Sequence, residues 1–143
     1  MRSESKQKYQ WYLSRNSKLN WSRAITACKS FDMKLAELDS DSTLEVLQGY
    51  LRNFHYVHSH YPRAYVGITK PSNSQTWYKA SSSQKVNFDW NVNGGPNVVR
   101  TKRCLIADVN SYGQSSVFTN VLCNEVNFYI CEKFTAEAFG VAK

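Results

Sequence analysis

Four cysteines, Cys28, Cys104, Cys123 and Cys131, constrain this 143-residue chain more than any other feature. They form an even set, and none lies in a Cys-x-x-Cys pair, the usual spacing of zinc sites and thioredoxin-like redox motifs. Two disulfides in a secreted domain are therefore expected; the alternative is four buried thiols in a cytosolic protein. Four cysteines permit three pairings, and the residues alone leave all three open. In the chain-entropy model, closing loops of about 15 to 100 residues contributes roughly 3 to 5 kcal/mol, so reduction is expected to destabilise the fold.

The length suits one domain with one substantial core. Hydrophobic residues make up 42% of the chain, so disorder is not the default expectation. No run of about 18 apolar residues is present, and no membrane span is expected. Met1–Ser5 lacks the apolar stretch of a signal peptide, so Met1 is expected to begin an expressed fragment rather than a natural precursor.

Tyr9, Trp11 and Tyr12 make the segment from Lys8 to Leu13 read as a strand. Asn20 is a good helix N-cap, and Trp21, Ala24, Ile25 and Cys28 follow at i, i+3, i+4 and i+7, one face of an amphipathic helix. Asn20-Trp21-Ser22 is also a glycosylation sequon, but capping is the expected role of Asn20. Lys34 to Leu38 alternates as a short strand does. Ser42 and Glu45 have capping-box spacing, and Leu44, Leu47, Leu51 and Phe54 form a second helical stripe. Tyr65 to Ile68 is an apolar strand whose Gly67 points to close backbone packing. From residue 79 to 103 the chain is rich in Ser, Asn, Gly and Lys, a long loop of the kind that carries function. Cys104 to Ala107, Ser116 to Phe118 and Asn127 to Cys131 read as the last strands. The first and last strands are expected to pair and bring the termini close together.

The net charge of +7 is concentrated. Between Pro62 and Arg103 lie seven basic residues (Arg63, Lys70, Lys79, Lys85, Arg100, Lys102 and Arg103) and one acid, Asp89. A basic surface of this kind attracts polyanions such as nucleic acid, acidic lipid or sulfated polysaccharide, and acidic glycan is the class that suits a secreted domain.

The cysteine layout, the helix from Trp21 to Cys28, Tyr65-Val66-Gly67-Ile68, Gly95-Pro96-Asn97 and Tyr129-Ile130-Cys131-Glu132 together resemble the C-type lectin-like domain family over residues 8–134. The general look is that of secreted insect (mosquito-type) immune lectins. The resemblance implies an α+β domain with two helices, two small antiparallel sheets and a long loop region, with flexible tails at 1–7 and 135–143. It also implies two disulfides, Cys28–Cys131 and Cys104–Cys123, and a cis bond before Pro96.

In that family, calcium and, through it, a sugar are held by carboxylates in three segments. Those segments align here with Gly95-Pro96-Asn97, with Lys102 two positions before Cys104, and with Thr119-Asn120, where Phe118 replaces the family's tryptophan. The resulting set is no carboxylate, one ammonium, and neutral oxygens from Asn97, Thr119 and Asn120. Calcium takes six to eight oxygen ligands and depends on their charge, and an ammonium repels it, so neither metal nor cofactor is expected. The family's accessory calcium site aligns near Lys70, Ser74 and Val98, and Asp108 and Glu125 rebuild no cluster.

His55, His58 and His60 lie within six residues, but the stretch from Phe54 to Tyr61 offers no acid or cysteine, so a polar loop is expected rather than zinc. No nucleophile elbow, P-loop or dinucleotide fingerprint is present, and no enzymatic activity is expected. Trp77, Tyr78 and Trp90 among basic residues resemble a stacking groove for nucleic acid, but Trp77 and Trp90 match core positions of the family. The expected function is calcium-independent recognition of anionic or microbial glycans in innate immunity, through Arg100, Lys102, Arg103, Lys70 and Lys85. The alternative is an interaction subunit that pairs with a calcium-competent lectin chain to form a heterodimer.

Overall fold

The computed structural model describes residues 7–38, 46–47, 49–54, 63–86, 99–109 and 116–136. In chain order these form β1 (Gln7–Leu13), α1 (Trp21–Lys29), β2 (Lys34–Leu35), α2 (46–47 and 49–54), β3 (Arg63–Thr69), β4 (Tyr78–Lys79), β5 (Cys104–Val109), β6 (Ser116–Val121) and β7 (Phe128–Ala136). The strands run β1-β7-β3-β5-β6 across the sheet, with β2 paired to β7 and β4 to β3.

Two antiparallel groups were expected. They are present, but they are joined into one mixed sheet by a short parallel pairing of β3 with β7, Ala64 opposite Phe128 and Tyr65 opposite Tyr129. The join explains why Tyr65 to Ile68 is apolar throughout. A strand with neighbours on both edges and a packed layer on each face carries no solvent-facing side chain. Alternation sorts the residues: Ala64, Val66 and Ile68 of β3 and Leu105 and Ala107 of β5 enter one core with Leu47, Leu51 and Phe54 of α2. Tyr65, Cys104 and Ile106 enter a second core with Ala24 and Cys28 of α1. The sheet is thus the middle layer, with one helix on each face.

Helix α1 begins where the capping rule places it. Asn20 is extended (ψ 170°) and its Oδ1 accepts the Arg23 N–H at 3.0 Å. A side-chain acceptor here satisfies one of the orphan donors of the first turn and contributes about 1 kcal/mol. Ala24 and Cys28 are fully buried, and Trp21 Nε1 donates to the Val66 carbonyl at 3.1 Å, tying the helix to β3.

Both disulfides join the expected partners, Cys28–Cys131 and Cys104–Cys123. The first and last strands pair from Gln7–Ala136 to Leu13–Ile130, just beyond the span 8–134. Lys34 to Leu38 is a strand only over Lys34–Leu35. There the chain leaves β7 to pass beneath β3, where Gly67 N–H donates to the Ala36 carbonyl at 2.7 Å. Gly67 permits that approach: a Cβ at this position would lie 2.9 Å from the Leu35 carbonyl oxygen and 3.0 Å from Glu37 Cγ. The Ser42–Glu45 capping box, Leu44, the cis bond at Pro96, Trp90 and the three histidines lie outside the described residues.

Candidate functional site

The basic residues of the long-loop region meet where the C-terminal end of β3 passes the segment entering β5. Lys70 N–H donates to the Arg103 carbonyl at 3.2 Å, and Arg103 Nε donates back to the Lys70 carbonyl at 2.9 Å. Thr69 Oγ1 adds a third bond, to the same Arg103 carbonyl, at 2.7 Å. One turn upstream, Arg100 Nε donates to the Ser72 carbonyl at 3.2 Å. Among the described residues, the two arginines staple the chain through Nε alone, and the stapling fixes the planes of their exposed guanidinium groups. A pre-oriented guanidinium loses less side-chain entropy when it meets an oxyanion.

Lys70 does not sit on that surface. Its side chain is 1% exposed, against the expectation that it contacts ligand. The physical reason is its position at the end of the buried β3 strand. Its Nζ lies 5.9 Å from the centre of the Trp77 ring, with the Arg100 carbonyl at the long distance of 3.5 Å. Burial holds its ammonium below the usual lysine range, and the nearby charges of Arg103 and Arg100 push the same way. Trp77 is itself a core residue at 4% exposure, so it offers no face for stacking a base.

Beside this knot lies an open cleft of about 390 Å³. Thr69, Lys70, Pro71 and Arg103 form one side, and Tyr78, Lys79, Ala80 and Ser83 the other. The far wall is built by the turn after β4. Lys79 N–H donates to the Gln84 carbonyl and Ser83 N–H to the Lys79 carbonyl, with Ser83 in the left-handed region (φ 61°). The buried Glu37 carboxylate anchors that turn, accepting the Ser81 N–H and Ser81 Oγ–H, each at 2.8 Å. No carboxylate lines the cleft among the described residues. Lys79 counted toward the charge of this region in the sequence, but nothing local marked it as a cleft residue; only the pairing of Ile68 with Lys79 does so. Lys85 is exposed and bridges to Tyr78 at the edge of the same hairpin.

Among the positions aligned with the family's calcium ligands, Lys102, Thr119 and Asn120 are described, whereas Gly95 and Asn97 lie outside the described residues. Asn120 is buried, pairs with Leu105, and its Nδ2 donates to the Lys102 carbonyl at 2.9 Å. Its amide thus fastens the segment leading to Cys104. The described members of the set supply an ammonium, a hydroxyl and an amide already in structural use. Those groups do not fit a calcium ion. Asp108 lies at the far end of β5 and pairs with Arg63 at 3.4 Å, while the Glu125 carboxylate accepts from Asn127 Nδ2 at 3.0 Å. No group of three His, Cys, Asp or Glu side chains is placed to hold a metal among the described residues.

The family model of the lectin C-type domain matches residues 17–133. A search of curated protein sequences finds no match. Solved structures with the same fold include the C-type lectin domain of murine dendritic cell inhibitory receptor 2 in complex with N-glycan. It has 13% identity and a TM-score of 0.68 over 87% of this chain and 90% of that one. Human lithostathine has 16% identity and a TM-score of 0.68 over 87% and 82%. A calcium-independent type II antifreeze protein has 14% identity and a TM-score of 0.65 over 89% and 87%. At these identities the likeness is one of fold.

Proposed function

Because the chain belongs to the C-type lectin domain family, we propose that it is a secreted, non-enzymatic recognition domain that binds anionic glycans without calcium. The contact surface is formed by Arg100, Lys102, Arg103 and Lys85. Lys70, nearly buried at the cleft floor, contributes through its charge. The observation that carries this reading is the stapling of the Arg100 and Arg103 guanidinium groups through Nε, on a surface whose cleft has no carboxylate among the described residues. The lysine at position 102 and the structural use of the Asn120 amide support calcium independence. A role in innate immunity, on microbial surfaces, belongs to the same proposal and rests on the likeness to secreted insect lectins.

The test is retention on immobilised heparin. The triple variant Arg100→Ala, Lys102→Ala, Arg103→Ala should elute at lower salt and with a flatter salt dependence than the parent, because exposed charges act over a screened range. Unchanged elution refutes the reading.

A second reading is favoured by one observation. An apolar groove of about 270 Å³ is lined by Tyr12, Phe31, Met33 and Tyr129, and Phe31 is 66% exposed. Such a surface suits an interaction subunit that pairs with a calcium-competent lectin chain. Glycan binding that appears only when the second chain is added, in a pull-down, distinguishes this reading from the first.

A further inference from the structure

We propose that the cleft between the turn after β4 and Arg103 is a pocket for a single sulfate ester on a sugar, with Arg103, Lys79 and Ser83 as its donors. The inference rests on the anionic-glycan reading for the charge of the ligand, but it names one group and one place.

Three observations carry it. The first is shape. The cleft holds about 390 Å³, enough for one sulfated sugar residue, and it is bounded on two sides by separate elements. The second is the direction of donors. Arg103 lines the cleft and spends its Nε on the Lys70 carbonyl, so neither terminal guanidinium nitrogen has an acceptor among the described residues. Arginine held in this way presents two parallel N–H groups, the arrangement that meets two oxygens of one oxyanion. Lys79 and the hydroxyl-bearing Ser83 stand on the opposite wall, so a tetrahedral group with three terminal oxygens has donors on both sides.

The third observation is field. Lys70, 1% exposed, lines the floor of the cleft beside Pro71. Arg100 and Arg103 already raise the potential around it, and no described carboxylate neutralises any of the three. An anion entering the cleft would relieve that repulsion. The walls are also preformed. Glu37 pins the turn through Ser81, and the reciprocal bonds between Lys70 and Arg103 fix the other side, so little ordering cost remains for binding.

The test titrates the full chain with galactose 6-sulfate at low ionic strength, with galactose as the unsulfated comparison, and follows backbone amide shifts by NMR. Expected is a saturable shift centred on Thr69, Lys79, Ala80, Ser83 and Arg103, absent with galactose. Lys79→Gln should weaken the affinity by roughly tenfold or more, as for loss of a charge-assisted hydrogen bond. Lys133→Gln removes the same charge from β7 and should leave it unchanged. A shift that does not saturate, or that spreads over basic residues generally, overturns the pocket, and so does equal affinity in the two variants. If Lys79→Gln does not fold, the shift map of the unmodified chain decides alone. Heparin retention is read separately. Retention without a localised sulfate site removes this inference and leaves the broader reading; a localised site without retention does the reverse.

Discussion

Trp11 and Glu132 face each other across the β1–β7 ladder, and the indole Nε1 donates to Glu132 Oε1 at 3.1 Å. The other carboxylate oxygen accepts the Glu37 N–H at 3.3 Å. Glu132 is 2% exposed, and its burial raises its pKa above the ordinary 4.5. The Trp11 and Glu37 hydrogen bonds and the Lys34 charge oppose that rise, and the Glu37 carboxylate adds to it.

A raised carboxyl pKa means that the folded chain binds this proton more tightly than the unfolded chain does. The stabilising contribution is complete below 4.5 and is lost as pH climbs through the raised value. Glu132→Gln, which cannot ionise, should lack that loss. Denaturant unfolding at stepped pH above 4.5 should show the difference between parent and variant changing with pH; a constant difference contradicts the assignment. Trp11→Phe removes a donor that favours the charged form. It should push the loss to lower stability by about 1–3 kcal/mol at neutral pH.

Gly67→Ala should destabilise by about 1–3 kcal/mol, because the added methyl would meet the Leu35 backbone carbonyl at 2.9 Å, which cannot rotate away. Chemical denaturation measures it. A neutral result would mean that β2 can move off β3 without cost.

Lys70 separates charge from volume. Lys70→Met keeps the aliphatic body against Trp77 and removes a poorly solvated ammonium, so it should be at least as stable as the parent. Lys70→Ala should be less stable than the Met variant by at least about 2 kcal/mol, the cost of a truncated core side chain. In the parent, the lowered Lys70 pKa makes stability rise with pH between that value and 10.5, since the unfolded chain then holds the extra proton. Lys70→Met should lose that rise in thermal unfolding at alkaline pH.

The two disulfides should differ in weight. Cys28–Cys131 spans 103 residues and Cys104–Cys123 spans 19. In the chain-entropy model the first contributes roughly 1–2 kcal/mol more. Paired Cys→Ala variants compared by urea midpoint should follow that order. The reverse order would show that the short bridge acts through the folded state, by holding the segment from 99 to 103.

Much of the architecture was legible because its signals are local. Asn20 is a cap by side-chain chemistry, the residues from Trp21 to Cys28 repeat with helical period, and Tyr65 to Ile68 has no polar residue to turn toward water. The parallel join of β3 to β7 was not legible, since it pairs residues about 64 apart in sequence and leaves no mark on either strand. The site divided in the same way. Arg100, Lys102 and Arg103 are concentrated in a short basic stretch that composition reveals. Lys70 looks the same in sequence as its exposed neighbours, and only its place at the end of a buried strand turns it inward. Glu37 and Ser81 carry no pattern that announces their contact.

The pairing of Gln7 with Ala136 has a mechanical consequence. Tension applied across these two positions pulls at the open end of an antiparallel pair, so the ladder yields one rung at a time, as a zipper does, and not all at once in shear. Peeling has a covalent limit. Cys131, opposite Tyr12 in the ladder, is bonded to Cys28, so once residues 13–27 have also been drawn out the disulfide carries the load. Everything between Cys28 and Cys131, including the basic cleft, lies inside a closed loop that the pull does not stretch. A domain tethered by its ends to a surface would therefore keep its basic cleft within the unstretched loop while its first and last strands part.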